Sequence, residues 1–327
     1  APAHLGEEFT VPRLMAHVQG ELVFGDTDIL MEYHDWSLAD HPARLTKAEF
    51  DIVETTNTFE IDLDGNRLSI STADSSEQLT LEIDVEDWTP NALVRWLDGK
   101  VRDQWIGQAE LLAWLNDVVT HLTRDRDIPL SQLMRCKFIL ARKLNEKIRG
   151  FRQMERDKVY QMNLFGPEAR VEVSFEDGIR FLDEMYFDVP KYRGTYKFNR
   201  HFMGPDEVPA FDGKDGGEEV KCALALDVLP GLKYWTRNVS RHPNSFSLPT
   251  STDKFYPDFV AVMEDGRLLV VEYKGKQLSS EESRDSREKE LIGQQWAKAS
   301  KGKAVFVMAT MERGDPKEVR QQVIAAL

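Results

Sequence analysis

The chain of 327 residues has few of the features that mark several protein classes. Its two cysteines, Cys136 and Cys222, lie far apart without metal-ligand spacing, so we expect reduced thiols rather than a disulfide framework. No apolar run approaches the roughly 18 residues that a membrane-spanning helix needs, and no charged-then-apolar leader marks secretion. These absences predict a cytoplasmic protein without a membrane partner.

Sequence motifs of several enzyme classes are also missing. The seven histidines form no His-x-His or His-x-x-x-His pair, which disfavours a histidine-bound metal. No Gly-x-Ser-x-Gly segment and no cysteine–histidine arrangement indicates a nucleophilic hydrolase. No Gly-x-x-x-x-Gly-Lys-Ser/Thr phosphate loop occurs, so we expect no ATPase within this chain.

Composition and length predict a globular protein of two or three domains, since 41% of the residues are hydrophobic and 30% are charged. The net charge of −14 disfavours nucleic acid over the whole surface, but a local basic face can still bind phosphates. The chain begins with Ala1 rather than Met, which suggests a piece of a longer protein, although a trimmed tag would look the same.

Three regions follow one another along the chain. Residues 1–87 are predicted to be a β-rich domain of unknown role, because period-2 segments flank the turn residues Asp64-Gly65-Asn66. Residues 88–166 are predicted to be helical, with Thr89 as N-cap and Pro90 in the first helical position. From residue 167 to residue 327 the pattern alternates between helix and strand, which indicates an α/β domain.

One predicted helix, from near Pro129 past Lys158, is basic, and Gly150 is a candidate interruption. The segment from Arg135 to Lys158 contains nine Lys or Arg and three acidic residues, which gives it a local charge of +6. A phosphate-contacting face and an ordinary solvated helix face explain this charge equally well. The candidate DNA contacts are Arg142, Lys143, Lys147, Arg149 and Arg152.

Two apolar runs in the last third predict a buried hairpin. Residues 259–263 and 268–271 flank Glu264-Asp265-Gly266, a three-residue loop in which the glycine supplies a positive φ. In that register, residues whose numbers add to 530 lie opposite each other, so Asp258 faces Glu272. Lys274 is two residues further on and shares the face of Glu272.

Paired carboxylates repel each other, so a cation is expected between Asp258 and Glu272. Hard oxygen ligands favour Mg²⁺, for which Mn²⁺ can substitute, and the carbonyl of Tyr273 is a candidate further ligand. Lys274 could position an attacking water or neutralise a phosphodiester transition state. A solvated salt-bridge cluster at a strand end is the non-catalytic alternative.

Pro257-Asp258, thirteen intervening residues and Glu272-Tyr273-Lys274 resemble the PD-(D/E)xK nuclease superfamily. More narrowly, residues 165–310 are similar to the C-terminal endonuclease region of type III restriction enzyme subunits. The segment from Trp235 to Asn238 also resembles one that precedes the Pro-Asp strand there. The resemblance implies an α/β, restriction-endonuclease-like core, a mixed sheet flanked by helices, behind a β-rich region and a helical region.

The resemblance also implies a function, a Mg²⁺-dependent endonuclease that cuts double-stranded DNA in defence against foreign DNA. It adds Glu219 as a metal ligand, although acids also favour helix starts, and Lys289 as a phosphate contact, although a solvated face is an equal alternative. Its partners would be an SF2-type helicase/ATPase portion, on the same or an associated polypeptide, and a methyltransferase or specificity subunit. A catalytically silent DNA- or partner-binding module and a stand-alone repair nuclease remain as alternatives.

Overall fold

The computed structural model describes residues 7–52, 59–64, 67–72, 75–82, 88–101, 103, 105–211, 217–275 and 280–327. It is a mixed α/β structure, and none of the helices in these ranges is long and apolar enough to cross a membrane. The chain divides into two compact units, a first unit of residues 1–34 and 156–327 and a second unit of residues 35–155. These bounds differ from the boundaries after residues 87 and 166 that the sequence pattern predicts.

The beginning of the chain belongs to the first unit because of one long-range strand pairing. Strand β1 (Glu8–Val18) lies between β2 (Glu21–Phe24) and β6 (Val171–Leu182), and both pairings are antiparallel. The β1–β2 turn uses the positive φ of Gln19 and Gly20, as tight hairpins require. Residues 8–24 therefore pack with the C-terminal part of the chain and not with a separate domain of residues 1–87.

A four-stranded mixed sheet forms the centre of the first unit. Its order is β12-β11-β10-β7, in which β10 is antiparallel to both of its neighbours and β11 is parallel to β12. A two-stranded ribbon, β8 and β9, precedes β10. The strands are β7 (Leu232–Arg237), β8 (Leu248–Pro249), β9 (Lys254–Phe255), β10 (Phe259–Met263), β11 (Leu268–Lys274) and β12 (Ala304–Thr310).

Helices cover both faces of this sheet, as the continuous apolar character of its strands predicts. On one face Val260 and Val270 share a core with Ile292 and Trp296, which lie on the helix after β11. On the other face the alternate strand residues share a core with the helices before β7 and after β12. The helices of this unit are α1 (Thr27–Glu32), α6 (Glu218–Asp227), α7 (Ser280–Ala299) and α8 (Pro316–Ala326).

The second unit combines a β-meander with a helical cluster. Strands β3 (Phe59–Asp64), β4 (Arg67–Thr72) and β5 (Ser75–Glu82) pair in sequence order, and Asp64 lies opposite Arg67 as the predicted hairpin requires. The Thr89 hydroxyl accepts a hydrogen bond from the Ala92 N–H and caps the next helix, which confirms that prediction. The helices are α2 (Pro90–Asp98), α3 (Gln108–Thr120), α4 (Leu130–Arg135) and the part of α5 (Lys137–Phe165) that precedes residue 156.

The basic helix differs from its prediction in two ways. It is divided at Cys136, which adopts a non-helical backbone between α4 and α5. Gly150 does not interrupt it, because a glycine costs a helix only about 1 kcal/mol and its neighbours Ile148 and Phe151 are buried in the core. The boundary between the two units falls within α5.

Candidate active site

The β10–β11 hairpin has the register that its sequence predicts. Phe259 lies opposite Val271 and Val260 opposite Val270, so paired residue numbers add to 530. Gly266 has a φ of +87° and its N–H donates to the Met263 carbonyl over 2.9 Å, which closes the three-residue loop. The same register continued by one residue brings Asp258 to Glu272.

Asp258 and Glu272 are held together by reciprocal hydrogen bonds between side chain and backbone. The Asp258 N–H donates to Oε2 of Glu272 over 3.2 Å, and the Tyr273 N–H donates to Oδ2 of Asp258 over 2.7 Å. Each carboxylate is thus oriented by the backbone of the opposite strand. Strand alternation places Glu272 and Lys274 on the sheet face that α7 covers.

Both carboxyl groups are destabilised in their charged forms. Burial raises the pKa of Asp258 to about 7, with a further contribution from the negative charge of Glu219. Burial also raises the pKa of Glu272 well above its ordinary range, and the charge of Asp258 adds to this. Arg237 opposes the shift at Asp258 and Lys289 opposes the shift at Glu272. A proton or a metal ion would relieve this excess of negative charge.

The ligands available at this end of the hairpin fit a partly hydrated Mg²⁺ better than a metal ion that is bound by protein side chains alone. Among the described residues, no group of three or more His, Cys, Asp or Glu side chains could hold a metal ion. Mg²⁺ does not need such a group, because it keeps several waters and is bound through one or two carboxylates together with substrate phosphates. Asp258 and Glu272, with the Tyr273 carbonyl beside them, match that requirement.

Glu219 has a strong partner that the sequence does not reveal. It lies in the first turn of α6, and its Oε1 accepts a hydrogen bond from Nε of Arg237 over 2.5 Å. The two side chains are only 12% and 7% exposed. A role for Glu219 as a metal ligand stays a prediction, and it would require this carboxylate to be shared between Arg237 and the ion.

The two predicted lysines lie at different positions around the carboxylate pair. Lys274 ends β11, half-buried and opposite Thr310 of β12. Lys289 on α7 forms an ion pair of 2.7 Å with Asp285, and its ammonium lies 5.5 Å from the ring centre of Phe255. The charge of Lys289 acts on Glu272, and the predicted phosphate contact of Lys289 stays a prediction.

The five candidate DNA contacts on α5 do not form one free basic face. Lys147 is bound to Glu49 over 2.5 Å, and Arg152 lies 3.8 Å from Asp103. Arg142 and Lys143 share the acidic partner Glu146 on their own helix. Arg142 and Arg149 are exposed. The acidic partners of Lys147 and Arg152 come from distant parts of the chain, so the local charge count of +6 overstates the available positive charge.

Asn238 is a positioning residue for which sequence reasoning predicted no role. It is buried at the end of β7, where its Nδ2 donates to the carbonyls of Pro257 and Phe246 over 2.8 Å each. Its Oδ1 accepts from the Phe246 N–H, and its own N–H donates to the Asp258 carbonyl. Asn238 therefore holds the Pro257-Asp258 segment beside the end of β7 through the carbonyls of both residues.

Comparisons with protein-family models, with curated proteins and with solved structures find no significant match to this chain. A functional assignment therefore has to rest on the residues of the site and their geometry.

Proposed function

We propose that this chain is a Mg²⁺-dependent endonuclease domain that hydrolyses phosphodiester bonds of double-stranded DNA with a PD-(D/E)xK site. The observation that supports this most is the pairing of Asp258 with Glu272 through reciprocal backbone hydrogen bonds, with Lys274 two residues away on the same face. Asp258 and Glu272 are half-buried carboxyls with raised pKa values, and such a pair would gain from a divalent cation.

Each residue then has a distinct task. Asp258 and Glu272 would hold Mg²⁺, with the Tyr273 carbonyl and Glu219 as further ligands, and the Glu219 carboxylate would then be shared with Arg237. When bound, the ion would supply positive charge at a phosphodiester oxygen and would lower the pKa of an attacking water. The Lys274 ammonium orients that water or stabilises charge on the phosphate. Asn238 keeps the Pro257-Asp258 segment in place, so that the carboxylate is already oriented before the ion binds.

The wider setting of the proposal rests on the sequence resemblance alone. It comprises a type III-like restriction enzyme acting against foreign DNA in the cytoplasm. Its helicase/ATPase portion would lie on the same or an associated polypeptide, with a methyltransferase or specificity subunit as a further partner.

The direct test is cleavage of supercoiled plasmid in Mg²⁺, in Mn²⁺ and in EDTA. We expect nicking or linearisation that requires the metal, and a loss of about a hundredfold or more in rate for Asp258→Asn and for Lys274→Ala. Glu264→Gln is the matched control, because Glu264 is an exposed carboxylate at the opposite end of the same hairpin. Its rate should equal that of the unsubstituted chain.

If the plasmid stays intact, calorimetric titration with Mn²⁺ decides between the remaining alternatives. Metal binding by the unsubstituted chain but not by Asp258→Ala would support a competent nuclease that needs its motor portion. Absence of metal binding would contradict the proposal and favour a silent DNA- or partner-binding module.

A further inference from the structure

A cleft of about 440 Å³ lies in the first unit, beside the segment that leads into Asp258. Its walls come from β1, from the β2–α1 connection, from residues 242–249 and from Lys254 and Tyr256. The catalytic proposal uses none of these residues. The volume is within the range of about 300–1,000 Å³ that is typical of small-ligand sites.

Two cations and one carboxylate set the charge of this cleft. Arg13 is half-buried, with its guanidinium carbon 5.1 Å from the ring centre of Phe24. Lys254 lies 3.0 Å from Asp26, and its side chain is 49% exposed. The hydrogen bond to Asp26 raises the pKa of Lys254, whereas the charge of Arg13 opposes this rise because the two cations lie near each other. An excess of positive charge therefore remains in a chain of net charge −14.

The other walls of the cleft add an aromatic ring and fixed polar groups. Tyr256 is half-buried, and a tyrosine hydroxyl is one of the groups that hydrogen-bond the phosphates and sugars of duplex DNA. His242 is kept in place by Tyr186, at 5.0 Å between ring centres, and by Asp188, 3.6 Å from its Nε2. A polyanion with planar groups suits this lining better than an apolar ligand does.

The chain itself limits how far the cleft is from the proposed catalytic site. Only four residue steps separate Lys254 from Asp258, so their Cα atoms are at most about 14 Å apart. One strand of duplex DNA carries a phosphate about every 3.4 Å of helix axis. A phosphate held by Lys254 would therefore belong to the few nucleotides that flank the bond to be cut.

We propose that this cleft binds the DNA backbone next to the scissile phosphodiester, with Arg13 and Lys254 contacting phosphates and Tyr256 contacting a sugar or a phosphate. The inference rests on the proposed function for its substrate class, which is DNA. It assigns the positioning of the substrate strand to residues more than 200 positions apart in sequence.

The test measures the binding of a fluorescently labelled DNA duplex to the full chain in EDTA. Fluorescence anisotropy gives the binding constant at each of several salt concentrations. We expect Arg13→Gln and Lys254→Gln each to weaken binding several-fold and to reduce the slope of log K against log salt concentration by about one. Lys303→Gln is the control, because Lys303 is exposed beside Ala304, at the turn end of the hairpin. It should bind DNA like the unsubstituted chain.

Asp26→Asn separates phosphate binding from a merely structural salt bridge. Asp26 caps α1 by accepting from the Asp28 N–H, and Asn caps helices equally well, so the fold should be kept. A phosphate site predicts tighter DNA binding for Asp26→Asn, because a competing carboxylate is removed. A structural role predicts the same loss as for Lys254→Gln, and that result would overturn the inference.

The two proposals can fail independently, because binding in EDTA does not depend on cleavage. If DNA binding is weakened by the Arg13 and Lys254 substitutions but the chain neither binds metal nor cuts DNA, only the nuclease proposal is contradicted. Metal-dependent cleavage with unchanged DNA affinity in the Arg13 and Lys254 variants would contradict the cleft alone. Failure of the unsubstituted chain to bind DNA would also overturn the cleft assignment.

Discussion

The two ends of the β10–β11 hairpin carry the same kinds of charged residue in opposite surroundings. At the turn end, Asp265 accepts hydrogen bonds from the N–H and from Nε of Arg267, over 3.0 and 2.8 Å. These bonds lower the pKa of Asp265, which is exposed to water. At the open end, burial raises the pKa of Asp258 to about 7, and the negative charge of Glu219 adds to this effect.

The comparison shows that residue type alone does not make a metal site. Asp265 already has a cation and solvent, so an ion would add little there. Asp258 and Glu272 are oriented by the backbone and partly removed from water, and Arg237 and Lys289 balance their charge only in part. Of the two ends, the open end would therefore gain more from the proposed divalent ion.

The largest effect on stability should come from substituting Asn238, the residue that holds the open end of the hairpin. Asn238→Ala leaves the buried carbonyls of Pro257 and Phe246 without their donor, so we expect the free energy of unfolding to fall by about 2–4 kcal/mol. Urea denaturation followed by circular dichroism measures this loss.

Arg267→Ala provides the comparison at the turn end. It removes the ion pair with Asp265 and a hydrogen bond from Nη1 to the Leu327 carbonyl, and it should cost about 1 kcal/mol, less than Asn238→Ala. If Asn238→Ala and Arg267→Ala lowered the free energy of unfolding equally, the two ends of the hairpin would not differ in how strongly they are held.

The second prediction concerns the pH dependence of stability without metal. Because the folded-state pKa of Asp258 is raised, its contribution is fully present below the unfolded value of about 4 and is lost as pH rises through about 7. In EDTA, the melting temperature of the unsubstituted chain should therefore fall relative to that of Asp258→Asn across this range. Mg²⁺ should reduce the fall, since it binds the ionised carboxylates.

Asp265→Asn should show the opposite sign in the same experiment. The pKa of Asp265 is lowered in the folded chain, so its contribution is present above the unfolded value and is lost as pH falls through the folded one. Parallel melting curves for all three proteins would show that the two ends do not differ electrostatically.

The smallest effect should come from the turn itself. Gly266→Ala introduces a Cβ at a φ of +87°, where no other atom lies within 4 Å, so only the backbone preference is lost. We expect a destabilisation of about 1 kcal/mol and an unchanged Mn²⁺ affinity in calorimetry. A change in metal affinity would mean that the turn, and not Asn238 and the strand register, orients the carboxylates.

Sequence patterns predicted the local parts of this structure well. The hairpin register followed from Gly266 and two apolar runs, and the start of α2 followed from Thr89 and Pro90. The pairing of β1 with β6 could not be predicted in this way, since no local pattern tells which distant strand completes a sheet. The same limit applies to the boundaries of the two units.

The candidate site shows the same division between local and long-range information. Asp258, Glu272 and Lys274 were predicted because a single hairpin brings them together. The ion pairs of Glu219 with Arg237 and of Lys147 with Glu49 were not predicted, because each pair joins residues from different parts of the chain. A count of charged residues cannot separate free cations from those whose charge is already balanced.

By itself, the sequence determined the hairpin, its register and the identity of the residues at its open end, since these depend on side-chain periodicity and turn chemistry over fewer than about 20 residues. Only the tertiary structure decided that the carboxylates are half-buried, that Asn238 holds the Pro257-Asp258 segment, and that Arg13 and Lys254 line one cleft. Burial and long-range pairing arise from the packing of elements that are distant in sequence, and it is burial that gives the carboxylates their raised pKa values.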